Sequence, residues 1–147
     1  MPSCEPIGTA TLPGHALKFH KRSKDGSGKC NALAADDSDS VVGVLFSFDP
    51  TDREKLDRAE GVGNGYNHTI VTVINVEGRR RKVLTYLADA EHIDDSLKPY
   101  AWYKELVLVG AREHDLPTEY VTACIAPVEA IDDPNAARAT KERVHLP

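Results

Sequence analysis

Two neighbouring β-prone segments constrain the fold of this chain more than any other feature of its sequence. Residues 66–76 and 80–88 are rich in β-branched and apolar side chains, and Glu77-Gly78 lies between them. Two such runs joined by a short turn that contains glycine are typical of a β-hairpin. The sequence therefore predicts a hairpin near the middle of the chain.

Further strands are predicted before the hairpin, at residues 7–12, 15–20, 31–35 and 41–48. Pro13-Gly14 predicts a turn between the first two of them. The density of Val, Leu and Phe in residues 41–48 predicts a buried strand. Residues 21–29 consist mainly of Lys, Ser, Gly and Asp. Because such a segment can bury little apolar surface, we expect a poorly ordered loop there.

A helix is predicted directly after residues 41–48. Thr51 and Glu54 have the spacing of a capping box, which favours a helix start. The helix is expected to end near Glu60-Gly61, because a glycine adopts the left-handed conformation that follows many helices.

Two more helices are predicted after the hairpin. Pro99 suits the first turn of one of them, whose apolar residues recur at spacings of three and four. Leu116-Pro117 opens the other, and Pro127 ends it. Residues 128–147 form a polar C-terminal tail that we expect to be peripheral. Strands with interspersed helices predict an α+β fold, with a small mixed sheet able to curl into a barrel.

Size and charge limit the possible partners. A chain of 147 residues suits a single domain, here residues 1–147. Its formal net charge of −5 argues against nucleic acid and anionic membranes. The longest apolar runs are far shorter than the roughly 20 residues of a membrane span. We therefore expect a soluble protein whose partner is a small molecule or another protein.

The cysteines and the N-terminus indicate a cytoplasmic protein. Cys4, Cys30 and Cys124 are widely spaced and odd in number, so neither a disulfide framework nor a Cys-x-x-Cys site is suggested. The first residues lack the basic and apolar regions of a secretory signal.

The common catalytic motifs are missing. The six histidines form neither His-Glu-x-x-His nor a His-x-His pair, so no metal site is predicted. Gly26-Ser27-Gly28-Lys29 lacks the spacing of a phosphate-binding loop, and no Gly-x-Ser-x-Gly occurs. Covalent serine catalysis therefore has no support.

Glu60 is the one residue that breaks a local rule. It is expected in the last turn of its helix, where the helix dipole disfavours a carboxylate. If the side chain is also partly buried, both effects raise the pKa of its carboxyl toward the range used in proton transfer. The alternative is an exposed glutamate at a helix end, with no catalytic role.

Several segments resemble those of one protein family. Residues 56–62 read Leu-Asp-Arg-Ala-Glu-Gly-Val and precede Tyr66 and a Val-x-Val strand. Residues 102–104 read Trp-Tyr-Lys, and residues 110–120 read Gly-Ala-Arg-Glu-His-Asp-Leu-Pro-Thr-Glu-Tyr. In this combination and order, the sequence resembles the γ-glutamylcyclotransferase family, also called AIG2-like.

The resemblance implies both a fold and an activity. Members have a small β-barrel-like α+β domain and convert a γ-glutamyl amino acid or γ-glutamyl amine into 5-oxoproline and the free amine. They use neither metal nor cofactor. By the resemblance, Glu60 is the catalytic acid/base, and Tyr66, Tyr86 and Tyr103 line the substrate pocket. Ordinary core tyrosines are the alternative for these three.

One departure from the family leaves alternatives open. Members usually begin with a strand that ends in Tyr-Gly-Ser-Asn, and this motif is missing from the sequence. Either the native protein extends further upstream, or this is a shortened relative that binds a γ-glutamyl-like metabolite or a protein partner without catalysis. A third alternative is an interaction module that forms a homodimer through an open sheet edge.

Overall fold

The computed structural model describes residues 5–59 and 65–143, which form strands and helices in an α+β arrangement. The strands are β1 (Glu5–Pro13), β2 (His15–Arg22), β3 (Gly28–Ala34), β4 (Ser40–Ser47), β5 (Tyr66–Asn75) and β6 (Arg80–Ala88). The α-helices are α1 (Arg53–Ala59), α2 (Ala101–Glu113), α3 (Thr118–Tyr120) and α4 (Ala136–Arg143). A π-helical segment, Val121–Ile125, continues α3. No helix in the described part of the chain is long and apolar enough to cross a membrane.

The described strands form two antiparallel sheets. One has the order β4-β1-β5-β6, and the other pairs β2 with β3. The sheets contact each other where β2 meets β4 and where β3 meets β6. The predicted α+β fold with a barrel-like sheet and flanking helices is confirmed, although these strands do not close into one barrel.

The predicted hairpin is confirmed as β5 and β6. Gly78 occupies the turn with a φ of 81°, a left-handed conformation that glycine adopts without a steric penalty. The side-chain oxygen of Asn75 accepts hydrogen bonds from the backbone N–H groups of Glu77 and Arg79, both at 3.0 Å. The turn is therefore specified locally, which explains why the sequence revealed it.

The expectation of a poorly ordered loop at residues 21–29 is wrong. Strand β2 extends into this segment and β3 begins within it, so only a tight turn lies between them. The turn is ordered by polar contacts: Ser27 donates to the Asp25 carboxylate through its backbone N–H and its hydroxyl. Ser27 is only 1% exposed. Low apolar content predicted disorder, but satisfied polar groups order the turn instead.

Two of the three predicted helix starts need correction. The first helical segment is capped by Asp49, whose Oδ1 accepts from the Thr51 N–H at 3.0 Å, so a Thr51–Glu54 capping box is not the cap. A 3₁₀ turn, Pro50–Asp52, then leads into α1. The predicted helix end at Glu60-Gly61 lies outside the described residues. Helix α2 begins at Ala101, so Pro99 precedes it rather than forming its first turn.

Among the described residues, the core comprises two apolar clusters. One joins β2 to α2 and the π-helical segment through Phe19, Ala111, Val121 and Ile125. The other lies in the four-stranded sheet, around Ala10, Leu12 and Val73. Strand β4, predicted to be buried, is only half-buried, with Phe46 47% exposed. Its position at an edge of the sheet explains this difference.

The predicted peripheral tail carries helix α4, which has no buried residue. Asp133, just before α4, accepts hydrogen bonds from the indole of Trp102 at 2.9 Å and from Arg138 at 2.6 Å. Polar contacts therefore attach this part of the tail to the start of α2.

Candidate active site

Two of the predicted substrate-binding tyrosines meet at the backbone of one residue in β3, Cys30. The phenol oxygen of Tyr103, on α2, accepts a hydrogen bond from the backbone N–H of Cys30 at 3.1 Å. The hydroxyl of Tyr66, at the start of β5, donates to the carbonyl oxygen of Cys30 at 2.7 Å. Helix α2 and strand β5 thus bring two phenol groups to the backbone of Cys30 in β3, one to its N–H and one to its C=O.

The groups at this point are protonated at neutral pH. Burial raises the pKa of the Cys30 thiol to about 11. Burial also raises the pKa of Tyr103 well above its ordinary value, and the adjacent Cys30 thiol adds to this effect. The site therefore presents neutral hydrogen-bonding groups rather than a thiolate or a phenolate.

Two lysines lie on the faces of these tyrosine rings. The Nζ of Lys21 is 4.6 Å from the centroid of the Tyr66 ring, and the Nζ of Lys29 is 4.2 Å from that of Tyr103. Lys29 also forms an ion pair with Asp25 at 3.3 Å. Burial lowers the pKa of Lys29, and the charge of Asp25 opposes that shift. Ammonium groups on both rings favour a ligand that carries a carboxylate.

The third tyrosine, Tyr86, makes a different contact. Its hydroxyl donates to Oδ1 of Asp57, on α1, at 2.7 Å. The other oxygen of Asp57 is 4.0 Å from Nδ1 of His68, which lies opposite Tyr86 in the pairing of β5 with β6. The structure thus brings Tyr66 and Tyr103 together at Cys30, whereas Tyr86 is bound to α1.

Glu60, the predicted acid/base, lies outside the described residues. In the sequence it directly follows Ala59, the last residue of α1, and it precedes Tyr66 by six positions. The elements on both sides of its segment therefore carry contacts of the candidate site: Asp57 on α1 and Tyr66 on β5.

A hydrogen-bonded chain next to Cys30 fixes β3 against β6. The Asn31 side chain accepts from the Ala88 N–H at 2.8 Å and contacts Nε2 of His20 at 3.0 Å. Nδ1 of His20 lies 2.7 Å from the carboxylate of Asp95. Both His20 and Asn31 are buried. These hydrogen bonds hold β3 in place next to Cys30, the residue whose backbone Tyr66 and Tyr103 contact.

Sequence reasoning missed Cys30, Lys29 and Asn31 as parts of this region. No catalytic motif includes them, and their partners lie far away along the chain. Of the residues that sequence reasoning missed here, Asp57 could have been found, because it belongs to the 56–62 segment that resembles the family.

Comparisons with known proteins identify the family. The model of the AIG2-like family matches residues 40–123, more than half of the chain. The chain belongs to the AIG2-like family. It is 31% identical over 124 residues to a bovine (Bos taurus) gamma-glutamylcyclotransferase, an alignment that covers 81% of this chain and 64% of that protein. A human (Homo sapiens) gamma-glutamylcyclotransferase is 34% identical over 83 residues, which cover 56% of this chain and 43% of that protein.

Solved structures agree on the fold of this AIG2-like protein. It superposes on an uncharacterized human protein with a TM-score of 0.80 and 27% identity, covering 89% of this chain and 78% of the other. A gamma-glutamyl cyclotransferase structure gives a TM-score of 0.83 at 24% identity, with 95% and 85% covered. The chain spans less than two thirds of the length of the curated relatives it matches.

Proposed function

We propose that this AIG2-like protein converts a γ-glutamyl amino acid or γ-glutamyl amine into 5-oxoproline and the free amine, with Glu60 as general acid/base. The observation that carries the proposal is the meeting of Tyr66 and Tyr103 at Cys30, because Tyr66 opens the strand that follows Glu60 in the sequence by six positions. Family membership and relatives named gamma-glutamylcyclotransferase support it.

The proposed reaction needs no nucleophile from the protein. The α-amine of the substrate attacks its own γ-carbonyl carbon, so a C–N bond forms and closes a five-membered ring. The bond from that carbon to the γ-amide nitrogen then breaks. Glu60 takes the proton from the attacking nitrogen and delivers it to the leaving nitrogen, so protons balance over the cycle. Because both reacting groups belong to one molecule, the protein has only to fold and orient the substrate.

Tyr66 and Tyr103 are proposed to orient the glutamyl part. The Tyr103 hydroxyl accepts from the Cys30 amide and also hydrogen-bonds with the Cys30 thiol, so a substrate oxygen would replace the thiol as the acceptor of its O–H. Lys21 and Lys29, on the ring faces, favour binding of the α-carboxylate. Since the Cys30 thiol is neutral at physiological pH, it competes neither as a base nor as a nucleophile.

The test is production of 5-oxoproline from a panel of γ-glutamyl amino acids and amines. Glu60→Gln should lower kcat by about 10²- to 10⁴-fold, the usual contribution of general acid/base catalysis. Glu54→Gln is the matched control, since Glu54 is an exposed glutamate in the first turn of α1, and its kcat should equal that of the wild type. Circular dichroism and denaturant unfolding verify that both variants fold.

Two outcomes would contradict the proposal. Unchanged turnover in a folded Glu60→Gln variant would remove Glu60 from the mechanism. Saturable binding of a γ-glutamyl compound without product would favour a non-catalytic relative that retains the binding site.

A further inference from the structure

Helix α1 leads directly into Glu60, and the polar contacts that join this helix to the sheet centre on Asp57. Oδ1 of Asp57 accepts the Tyr86 hydroxyl at 2.7 Å, and Oδ2 lies 4.0 Å from His68 Nδ1. Asp57 is three residues before Glu60, in the last turn of α1 as described. A contact there fixes the end of the helix rather than its start.

The partner of Asp57 is on a rigid element. Tyr86 lies within β6, which is paired along its length with β5. Tyr66 opens β5, so the same hairpin carries a proposed substrate-binding residue and the anchor of α1. A hydroxyl that donates to a carboxylate makes a charge-assisted bond, which is stronger and more directional than a neutral one. The bond therefore ties the end of α1 to the hairpin whose first residue is Tyr66.

We propose that Tyr86 and Asp57 form a positioning pair that fixes the end of α1, the helix that Glu60 follows in the sequence, against the hairpin that begins with Tyr66. The inference rests on the proposed function. It assigns Tyr86 a different role from the pocket-lining one that the family resemblance implies, because the Tyr86 hydroxyl donates to a carboxylate of α1 and not to Cys30, where Tyr66 and Tyr103 meet. Tyr86 acts through Asp57 and Glu60, so it is a positioning residue.

This role has a distinct kinetic consequence. A general acid/base must lie within hydrogen-bond reach of the reacting nitrogen, and a displacement of about 1 Å can cost up to 10²-fold in rate. Substrate affinity, which depends on Tyr66 and Tyr103, is unaffected by such a displacement. Loss of the pair should therefore lower kcat and leave KM nearly unchanged.

The kinetic test uses Tyr86→Phe and Asp57→Ala, alone and combined. Each should lower kcat about 10- to 100-fold with KM within about twofold of the wild type, and the double variant should be no worse than either single one. Asp57→Asn keeps an acceptor oxygen and should retain most of the activity. Tyr100→Phe is the matched control, since it removes a phenol that donates to the Asp25 carbonyl at 2.9 Å; its kcat should not change.

A second measurement does not depend on turnover. Hydrogen exchange followed by mass spectrometry should show faster exchange in residues 53–59 for Tyr86→Phe and Asp57→Ala, with the exchange of β5 and β6 unchanged. Exchange in α1 equal to that of the wild type would overturn the positioning pair. A raised KM with unchanged kcat in Tyr86→Phe would instead assign Tyr86 to substrate binding. If the wild-type chain makes no 5-oxoproline, the proposed function fails, and hydrogen exchange alone decides whether the pair fixes α1.

Discussion

Cys30 is the residue that both tyrosines of the candidate site contact, yet its thiol is unreactive near neutral pH. Its backbone serves both tyrosines, while burial raises the pKa of the thiol to about 11. A thiol alkylates only as the thiolate, so a raised pKa and limited access both slow the reaction. Cys30 therefore contacts the two tyrosines through its backbone N–H and C=O, and its sulfur is protected.

This protection gives a direct prediction about thiol labelling. With iodoacetamide near neutral pH, Cys30 of the folded chain should be alkylated at least about tenfold more slowly than Cys30 of the chain unfolded in guanidinium. The folded rate should then rise with pH until it levels off near pH 11, because the thiolate fraction grows up to the pKa. Peptide mapping by mass spectrometry measures both rates. Equal rates in the folded and unfolded chains would contradict the prediction.

The sequence identified the tyrosines of this region but not their partners. Tyr66 and Tyr103 emerged because the segments around them resemble the family. Cys30 lies 36 and 73 positions from these two residues, and nothing local in its short strand marks it. Asp57 lies in a resembling segment, but its partner Tyr86 is 29 positions away. Contacts between distant segments are set by sheet pairing, which one sequence does not display.

At the scale of elements, two carboxylates attach α4 and the residues just before it to α2: Asp133, and Glu105 of α2, which accepts from Arg143 at 3.1 Å. Asp133 accepts from both Arg138 and Trp102, and the guanidinium of Arg138 also lies 5.3 Å from the centroid of the Tyr100 ring. The hydrogen bonds from Arg138 hold the pKa of Asp133 far below its ordinary value. The carboxylate therefore stays ionised, and the attachment persists, throughout the physiological pH range.

Removing the Asp133 carboxylate should loosen the start of α4, while the ion pair of Arg143 with Glu105 remains. In Asp133→Ala, we expect faster proteolytic cleavage within residues 136–143 and a red shift of the emission of Trp102, the single tryptophan. Asp132→Ala is the matched control, because it removes a neighbouring exposed acid. In the wild type, the emission should stay constant as the pH falls from about 7 to about 4, since the lowered pKa of Asp133 keeps it charged. Cleavage equal to that of the control would show that other contacts hold α4.

Elements with local signals were predictable, and elements held by distant polar contacts were not. The hairpin has its turn residues next to its strands, so the sequence predicted both. The polar tail lacks the apolar periodicity that marks a helix, and α4 is held instead by the contacts of Arg138 with Asp133 and of Arg143 with Glu105. The turn between β2 and β3 is ordered by Asp25 and Ser27, although its composition predicted disorder.

At the scale of the whole molecule, side chains rather than a strand ladder join β3 to β6. The Asn31 oxygen accepts from the Ala88 N–H, which fixes the orientation of the amide and directs its NH₂ toward Nε2 of His20. Nε2 therefore accepts, and the ring proton lies on Nδ1, facing Asp95. The sequence predicted a barrel-like α+β domain, but this junction was hidden because its members lie in four separate segments.

The substitution Asn31→Asp should make the stability of this junction depend on pH. The new carboxylate can still accept from the Ala88 N–H, but it faces the lone pair of His20 Nε2. A proton held between them relieves this repulsion, and the imidazolium then bridges the new carboxylate and Asp95. The folded variant thus binds a proton that the unfolded chain lacks near neutral pH, so its unfolding free energy should fall as the pH rises from about 5 to about 8.

The matched comparison is Asn31→Leu, which fills similar space but makes neither bond. It leaves the Ala88 N–H and the His20 ring nitrogen unpartnered in a buried site, so we expect a loss of about 3 kcal/mol. Urea unfolding at several pH values, each taken as a difference from the wild type, separates the two variants. The loss of unfolding free energy in Asn31→Asp, relative to the wild type, should become smaller toward low pH, because protonation restores a hydrogen bond at that position. The loss in Asn31→Leu should not change in this way, because leucine forms no such bond at any pH. Parallel pH profiles would show that His20 and Asn31 do not share a proton-sensitive contact, and that β3 and β6 are held together chiefly by the apolar clusters.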